Sequence, residues 1–258
     1  MTTADPWRAL TAELDLWAAT GQTATFWWRD DDAVAASPGL DRLLMIAAEN
    51  ETPICLAVVP AMQEPSLVSA VEQSGADVSI AVHGWRHLNH AAANEKKSEF
   101  PPSRASAAAV DEAAQGLSSI RDAFGPRGLD VFVPPWNRIS TPVTSGLTAA
   151  GYQGLSAYKA RLSAAPAPGL RQVNTHADIV DWHNGKKFAG TDTVLGQVTS
   201  HLAARRDKSM DRDEPTGLLT HHLVHQDDAF DFIAQFLRLT ARHSAAEWSD
   251  PRLFFALS

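Results

Sequence analysis

Five short apolar runs in this chain each end on polar or aromatic groups, and that recurrence constrains the fold more than any other feature. TATFWW runs into Arg29, Asp30, Asp31 and Asp32, and DVSIAV runs into His83. LDVFV leads to Pro134, Pro135, Trp136 and Asn137, an Ile-Val pair to Asp181 and Trp182, and TGLLT to His221 and His222. Between these runs lie segments of helical spacing. The first covers residues 1–22, with Asp5 as its cap, Pro6 in its first turn and Gly21 as its stop. LDRLLMIAAENE, PSLVSAVEQSG, an Ala-rich stretch ending in RDAFG, residues 191–206 and DDAFDFIAQFLRLTARH follow the same pattern. Strand and helix in alternation, with connections of crossover length, predict a parallel sheet. Seven or eight such units with no linker or repeat predict one α/β domain spanning residues 1–258. It is expected to close as a distorted, TIM-like (β/α) barrel of about seven strands. In a parallel barrel the carboxyl ends of all strands meet on one face, so the five polar endings converge there.

Composition narrows the partners. With 22 Lys and Arg against 30 Asp and Glu, the formal charge is −8, and no basic stripe offers a grip on nucleic acid. The single cysteine, Cys55, lies in the apolar run PICLAVVP and reads as a small buried hydrophobe. No run approaches the ~18 apolar residues of a membrane span, and the first residues lack the pattern of a secretory leader. A cytoplasmic protein with neither membrane nor nucleic-acid partners is the expectation.

The polar endings contain metal-ligand chemistry. His83 and His87 are four residues apart, so one local turn can present both imidazoles, and Asp and His together suit Zn²⁺ or a similar divalent ion. Gly84 stands where the zinc-protease helix motif requires its glutamate, so that motif does not apply. Three adjacent carboxylates at a strand end repel one another and call for a cation. One of them on the metal and a neighbour left free as a base is an economical division. His90 reads as a bystander.

Taken in order, these segments resemble the five motifs of the polysaccharide deacetylase family, carbohydrate esterase family 4, with its nodulation-type deacetylase domain. The resemblance covers residues 23–225. Asp31-Asp32 before the small Ala33 resembles the family's Asp-Asp-Gly, which implies Asp31 as catalytic base and Asp32 as metal ligand. His83 to His87 resembles the second motif, with Gly84 in place of a hydroxyl residue, and implies the other two ligands. Val133-Pro134-Pro135-Trp136 resembles the third motif without its arginine. Asp181-Trp182 resembles the fourth, and Leu219-Thr220-His221 the fifth. Asp30 as base and His222 as the fifth-motif histidine are the alternative register.

The family fold is a distorted (β/α) barrel. The implied activity is hydrolytic removal of N-acetyl or O-acetyl groups from a carbohydrate, with one divalent ion as cofactor: Zn²⁺ first, then Co²⁺, Ni²⁺ or Mn²⁺. His221, oriented by Asp181, is implied as proton donor to the leaving group, while Trp136, Pro135, Asn137 and Trp182 surround the substrate. A metal-dependent amidohydrolase of small amides and a non-catalytic carbohydrate-binding relative are the competing readings. The missing third-motif arginine needs a substitute to orient the base. Arg29 and Arg138 are near in sequence, and strand alternation puts Arg29 on the same side as Asp31.

Overall fold

The computed structural model describes residues 5–255. Its first helix, α1 (Pro6–Ala19), begins where the Asp5 side chain accepts from the Trp7 amide and stops before Gly21, whose φ is +65°. Residues 1–4 of the expected helical segment lie outside the described ones. The strands of the main sheet are β1 (Ala24–Ala33), β2 (Ile54–Val58), β3 (Val78–His83), β4 (Gly128–Val133), β5 (Gly154–Leu155), β6 (Arg171–Gln172) and β7 (Ala177–Asp178). A hairpin, β8 (Val180–Asp181) with β9 (Lys187–Phe188), stands apart, and β10 (Thr216–Thr220) and β11 (Ala246–Trp248) return to the main sheet. Helices α2 (Pro38–Glu49), α3 (Pro65–Gln73), α4 (Ser106–Phe124), α5 (Thr141–Gly146), α6 (Thr191–Arg206), α7 (Asp227–Ala241) and α8 (Pro251–Phe255) fill the connections. No described helix is long and apolar enough to cross a membrane.

Every pairing in the main sheet is parallel, in the order β6-β5-β4-β3-β2-β1-β10-β7, with β11 added at the start of β1. Its two ends are one continuous stretch of chain. Residues 171–172 pair with β5, Thr175 bridges Tyr158, and residues 177–178 pair with β10. The segment 171–178 therefore closes the sheet on itself, and counting it once gives seven barrel strands. The expected distorted barrel of about seven strands is the fold observed.

Alternation along the strands separates two cores. Outward residues, such as Phe26, Trp28, Leu56, Ile80 and Phe132, pack under the helices. Inward residues form a smaller cluster of Trp27, Cys55, Ala57, Ala81, Val131, Val133 and Val173, with Phe255 of α8 joining it. The interior is narrow, so small side chains surround the one large Trp27. A Cβ on Gly217 would meet the Trp27 indole nitrogen at 2.5 Å. Continuing the same alternation, Arg29 and Asp31 point into the barrel mouth and Asp30 points out beneath α2.

Candidate active site

Asp31 and Asp32 are neighbours, and in a regular strand one would face away from the site. The register between β1 and β2 shifts between Asp30 and Ala33, and Asp32 adopts a φ of +70°. This bulge turns Asp32 inward beside Asp31, a common use of an irregular strand end. His83 ends β3 and His87 follows in a turn with a φ of +55°. Their Nε2 atoms lie 3.1 Å and 3.3 Å from Asp32 Oδ1. All three ligand atoms fall within 4.8 Å of one another.

The donor set fits a divalent ion, and the ring orientation of His83 adds to the fit. Its Nδ1 lies 3.0 Å from the Val133 carbonyl, which can only accept, so Nδ1 carries a proton and Nε2 is the nitrogen turned to Asp32, where an ion would take the place of its proton. Burial alone would raise the Asp32 pKa. The His83 hydrogen bond and the fields of His83, His221 and His87 outweigh it and hold the carboxyl below its ordinary range. Three protein ligands leave coordination positions open, as catalytic sites require.

Asp31 sits beside this group, 1% exposed, in the fork of a fully buried Arg29. Arg29 Nε donates to Asp31 Oδ1 at 2.8 Å and Nη2 to Oδ2 at 3.0 Å. The guanidinium is itself fixed by Ser156 Oγ at 2.6 Å, the Ala157 carbonyl at 3.2 Å and Asn137 Oδ1 at 2.8 Å. Asn137, expected to face substrate, thus has its carbonyl committed to Arg29. Arg138 is exposed and donates to the Lys97 carbonyl at 2.8 Å, so it is not the arginine at the base. Trp136 lies against the His87 ring at 4.4 Å, and Pro135 is buried behind Gly84.

Across the mouth, His221 Nε2 lies 4.0 Å from Asp31 Oδ2. Asp181 does not orient it, and the reason is topological. The barrel strand ends at Asp178; the chain then leaves for the β8–β9 hairpin, where the Asp181 carboxylate accepts from the His183 and Asn184 amides and from Asn184 Nδ2 at 2.7 Å. Asp178 is the carboxylate at the true strand end. Burial raises its pKa against the opposing field of His221, and it accepts from Trp182 Nε1 at 2.8 Å. Trp182 in turn sets its ring edge-on to His221 at 4.7 Å.

The alternative register faces the wrong way. Asp30 is fully buried and accepts from Thr220 Oγ1 at 2.7 Å, the His222 amide at 3.0 Å and His222 Nδ1 at 2.5 Å. It grips the chain on both sides of His221 from beneath the site. His90 is exposed on the following loop. Three groups escaped the sequence reading: Asp178, Ser156 and a buried Glu99. The strand-end pattern could have found Ser156, which directly follows Gly154-Leu155, whereas Asp178 follows a single apolar residue, Ala177, and precedes the Ile179-Val180 pair. Nothing local marks Glu99.

A second group, His176, His201 and Glu214, also brings its ligand atoms within 4.8 Å, at the opposite end of β10. Here the Gly217 amide donates to His176 Nδ1 at 3.0 Å. The ring proton must therefore sit on Nε2, which faces Glu214 Oε2 at 3.3 Å. Glu214 also accepts from the Arg161 and Asn174 amides, and the two imidazoles stack at 3.4 Å. Two nearly parallel rings cannot both direct in-plane lone pairs at one ion. This group is a buried structural network.

No protein-family model matches the sequence, and no curated protein is similar to it. Solved structures do match. A family 4 carbohydrate esterase from Streptomyces lividans, in complex with acetate, is 18% identical over 84% of this chain and 88% of its own, with a TM-score of 0.54. Peptidoglycan deacetylase from Bacillus subtilis is 12% identical over 90% of each chain, with a TM-score of 0.55. A variant of a family 4 pseudoenzyme with restored enzymatic activity is 10% identical over 91% of this chain and 68% of its own, with a TM-score of 0.57. The protein has the barrel fold of the carbohydrate esterase family 4 deacetylases.

Proposed function

We propose that the protein is a metal-dependent hydrolase that removes acetyl groups from a carbohydrate. One observation carries the reading: a three-ligand set, a forked carboxylate and a histidine from the ends of three strands, β1, β3 and β10, converge at the carboxyl end of one barrel. Asp32, His83 and His87 would hold the ion. When bound, it would polarise the acetyl carbonyl and lower the pKa of water. Asp31, fixed in direction by the Arg29 fork, takes the proton of the attacking water as general base. His221, on the other side of the mouth, donates a proton to the departing sugar nitrogen or oxygen. Trp136 and Trp182, at the edges of the site, suit the apolar faces of a sugar ring. Asp178 and Trp182 replace Asp181 as the groups around His221.

The test is acetate release from acetylated chitooligosaccharides and from small N-acetyl sugars after loading with Zn²⁺ or Co²⁺. Release from either supports the reading, and the ratio between them ranks polymer against small substrate. Turnover of small non-carbohydrate amides alone would transfer the protein to the amidohydrolases. Binding of oligosaccharide without acetate release would make it a non-catalytic relative.

A further inference from the structure

We infer that Glu99 is a positioning residue, whose carboxylate shapes the turn between the two histidine ligands and so sets His87 against Asp32. The inference rests on the metal reading above. Residues 84–86 belong to no strand or helix, yet they must carry His87 back to the site within four residues of His83. Glu99 lies under this turn with no exposed surface. Its Oε1 accepts from the Arg86 amide at 2.7 Å and its Oε2 from the Trp85 amide at 3.2 Å. Two successive peptide N–H groups wrapped on one anion form a small backbone nest.

A buried carboxylate is costly unless its oxygens are occupied. Nearby Arg104 does not serve it, since that guanidinium pairs with Glu112 at 2.7 Å and donates to the Glu99 carbonyl at 3.0 Å. The turn's other anchors are backbone bonds: Gly84 N to the Val133 carbonyl at 3.1 Å, and Ala61 N to the Trp85 carbonyl at 3.0 Å. Among the described residues, Glu99 thus makes the only side-chain hydrogen bonds to the amides of residues 84–86.

Gly84 makes the arrangement specific. Its φ is +61°, a left-handed value, and a Cβ built on it would lie 2.1 Å from Glu99 Oε2 and 2.7 Å from the Pro135 ring. The carboxylate therefore occupies the space a side chain at position 84 would need. A turn that might have been held by its own side chain is held by a distant carboxylate acting on a bare backbone. Gly84 and Glu99 are one unit.

Three measurements on the full chain test this: Zn²⁺ affinity by calorimetry at a temperature where each variant is folded, amide hydrogen exchange at Trp85 and Arg86 in metal-free protein, and melting temperature. Glu99→Ala should weaken Zn²⁺ binding about 10- to 100-fold, the range for groups that orient metal ligands, and should accelerate exchange at both amides. Glu99→Gln, which keeps an acceptor, should recover part of both losses and serves if Glu99→Ala fails to fold. Excess Zn²⁺ should restore the acetate-releasing activity of either variant. Gly84→Ala should bind Zn²⁺ poorly, and the same change should cost less in the Glu99→Ala background, because the nearer of its two clash partners is gone while the Pro135 ring remains. A folded Glu99→Ala protein with wild-type affinity and unchanged exchange overturns the inference, even if its melting temperature falls. Should the wild type bind no Zn²⁺, the metal reading fails, while exchange at Trp85 and Arg86 still decides whether Glu99 holds the turn.

Discussion

Two groups in this barrel have the same chemical inventory, two imidazoles and a carboxylate, and nearly the same compactness. Asp32, His83 and His87 stand at the carboxyl ends of the strands; His176, His201 and Glu214 stand near the opposite end. What separates them is the partner of the second nitrogen on one ring of each group, His83 and His176. A carbonyl takes the Nδ1 proton of His83 and frees Nε2. An amide donates to His176 Nδ1 and forces the proton onto Nε2. Residue type and distance are therefore insufficient to recognise a metal site. The tautomer, read from backbone contacts, decides.

The largest effect that could break this contrast is metal stoichiometry. Reconstituted protein should bind one divalent ion per chain by elemental analysis, and not two. Asp32→Ala or His87→Ala should abolish that binding, more than the ~100-fold typical of changes to groups that only orient a metal ligand. His201→Gln should retain the full ion. Two ions per chain in the wild type, one of them lost with His201, would overturn the tautomer argument.

A smaller effect separates ligand from base within the first group. Asp31→Asn should lower turnover about 10²- to 10⁴-fold, the span attributed to general acid–base catalysis, with metal content unchanged. Loss of metal in this variant would make Asp31 a ligand. Below that comes the guanidinium behind the base. Arg29→Ala would leave the buried Asp31 uncompensated and is expected to misfold, so Arg29→Lys is the informative change. It keeps the charge and loses the fork. Turnover should fall about 10- to 100-fold, or roughly 1.4–2.7 kcal/mol in the barrier, with metal affinity intact. Arg138→Lys should behave as wild type, and a loss there instead would contradict the role given to Arg29.

How much of this could be read from the chain alone depended on whether a residue obeyed strand periodicity. The barrel, its strand number and the convergence of strand ends followed from repeated apolar runs, because parallel strands bury both faces. Arg29 beside Asp31 followed from simple alternation. Asp32 did not, since a period-2 strand would turn it away from Asp31, and only the bulge brings both inward. Asp181 was misplaced because DIVDW looks like one strand but is two, belonging to different sheets. The eight-residue segment 171–178 carries no strong strand signal, yet it closes the barrel by pairing with different neighbours at its two ends. Glu99 lies in a polar loop whose value is set by contacts with another loop, which sequence spacing does not encode.

The smallest effect concerns the second group and is a matter of acid stability. Burial, followed by the fields of His176 and Arg205, depresses the pKa of His201 to about 2. An unfolded histidine titrates near 6.5. Between those values the unfolded chain binds a proton at this position and the folded protein does not. Stability is therefore complete above about pH 6.5 and falls as the pH drops, by up to about 1.4 kcal/mol per pH unit from this residue. His176, lowered chiefly by burial, acts in the same direction, while His83 and His222 are raised and act in the opposite one. Only a difference between proteins isolates His201. Urea unfolding of wild type and His201→Gln, followed from pH 7 to pH 4.5, should give a shallower decline in the variant. That window stays above the midpoints of ordinary carboxylates, and what they contribute near its lower end is common to both proteins. Parallel declines would mean that His201 already carries its proton in the folded state. The second group would then be an ion pair with Glu214, and its contrast with the open metal-ligand set would rest on charge and not on the tautomer.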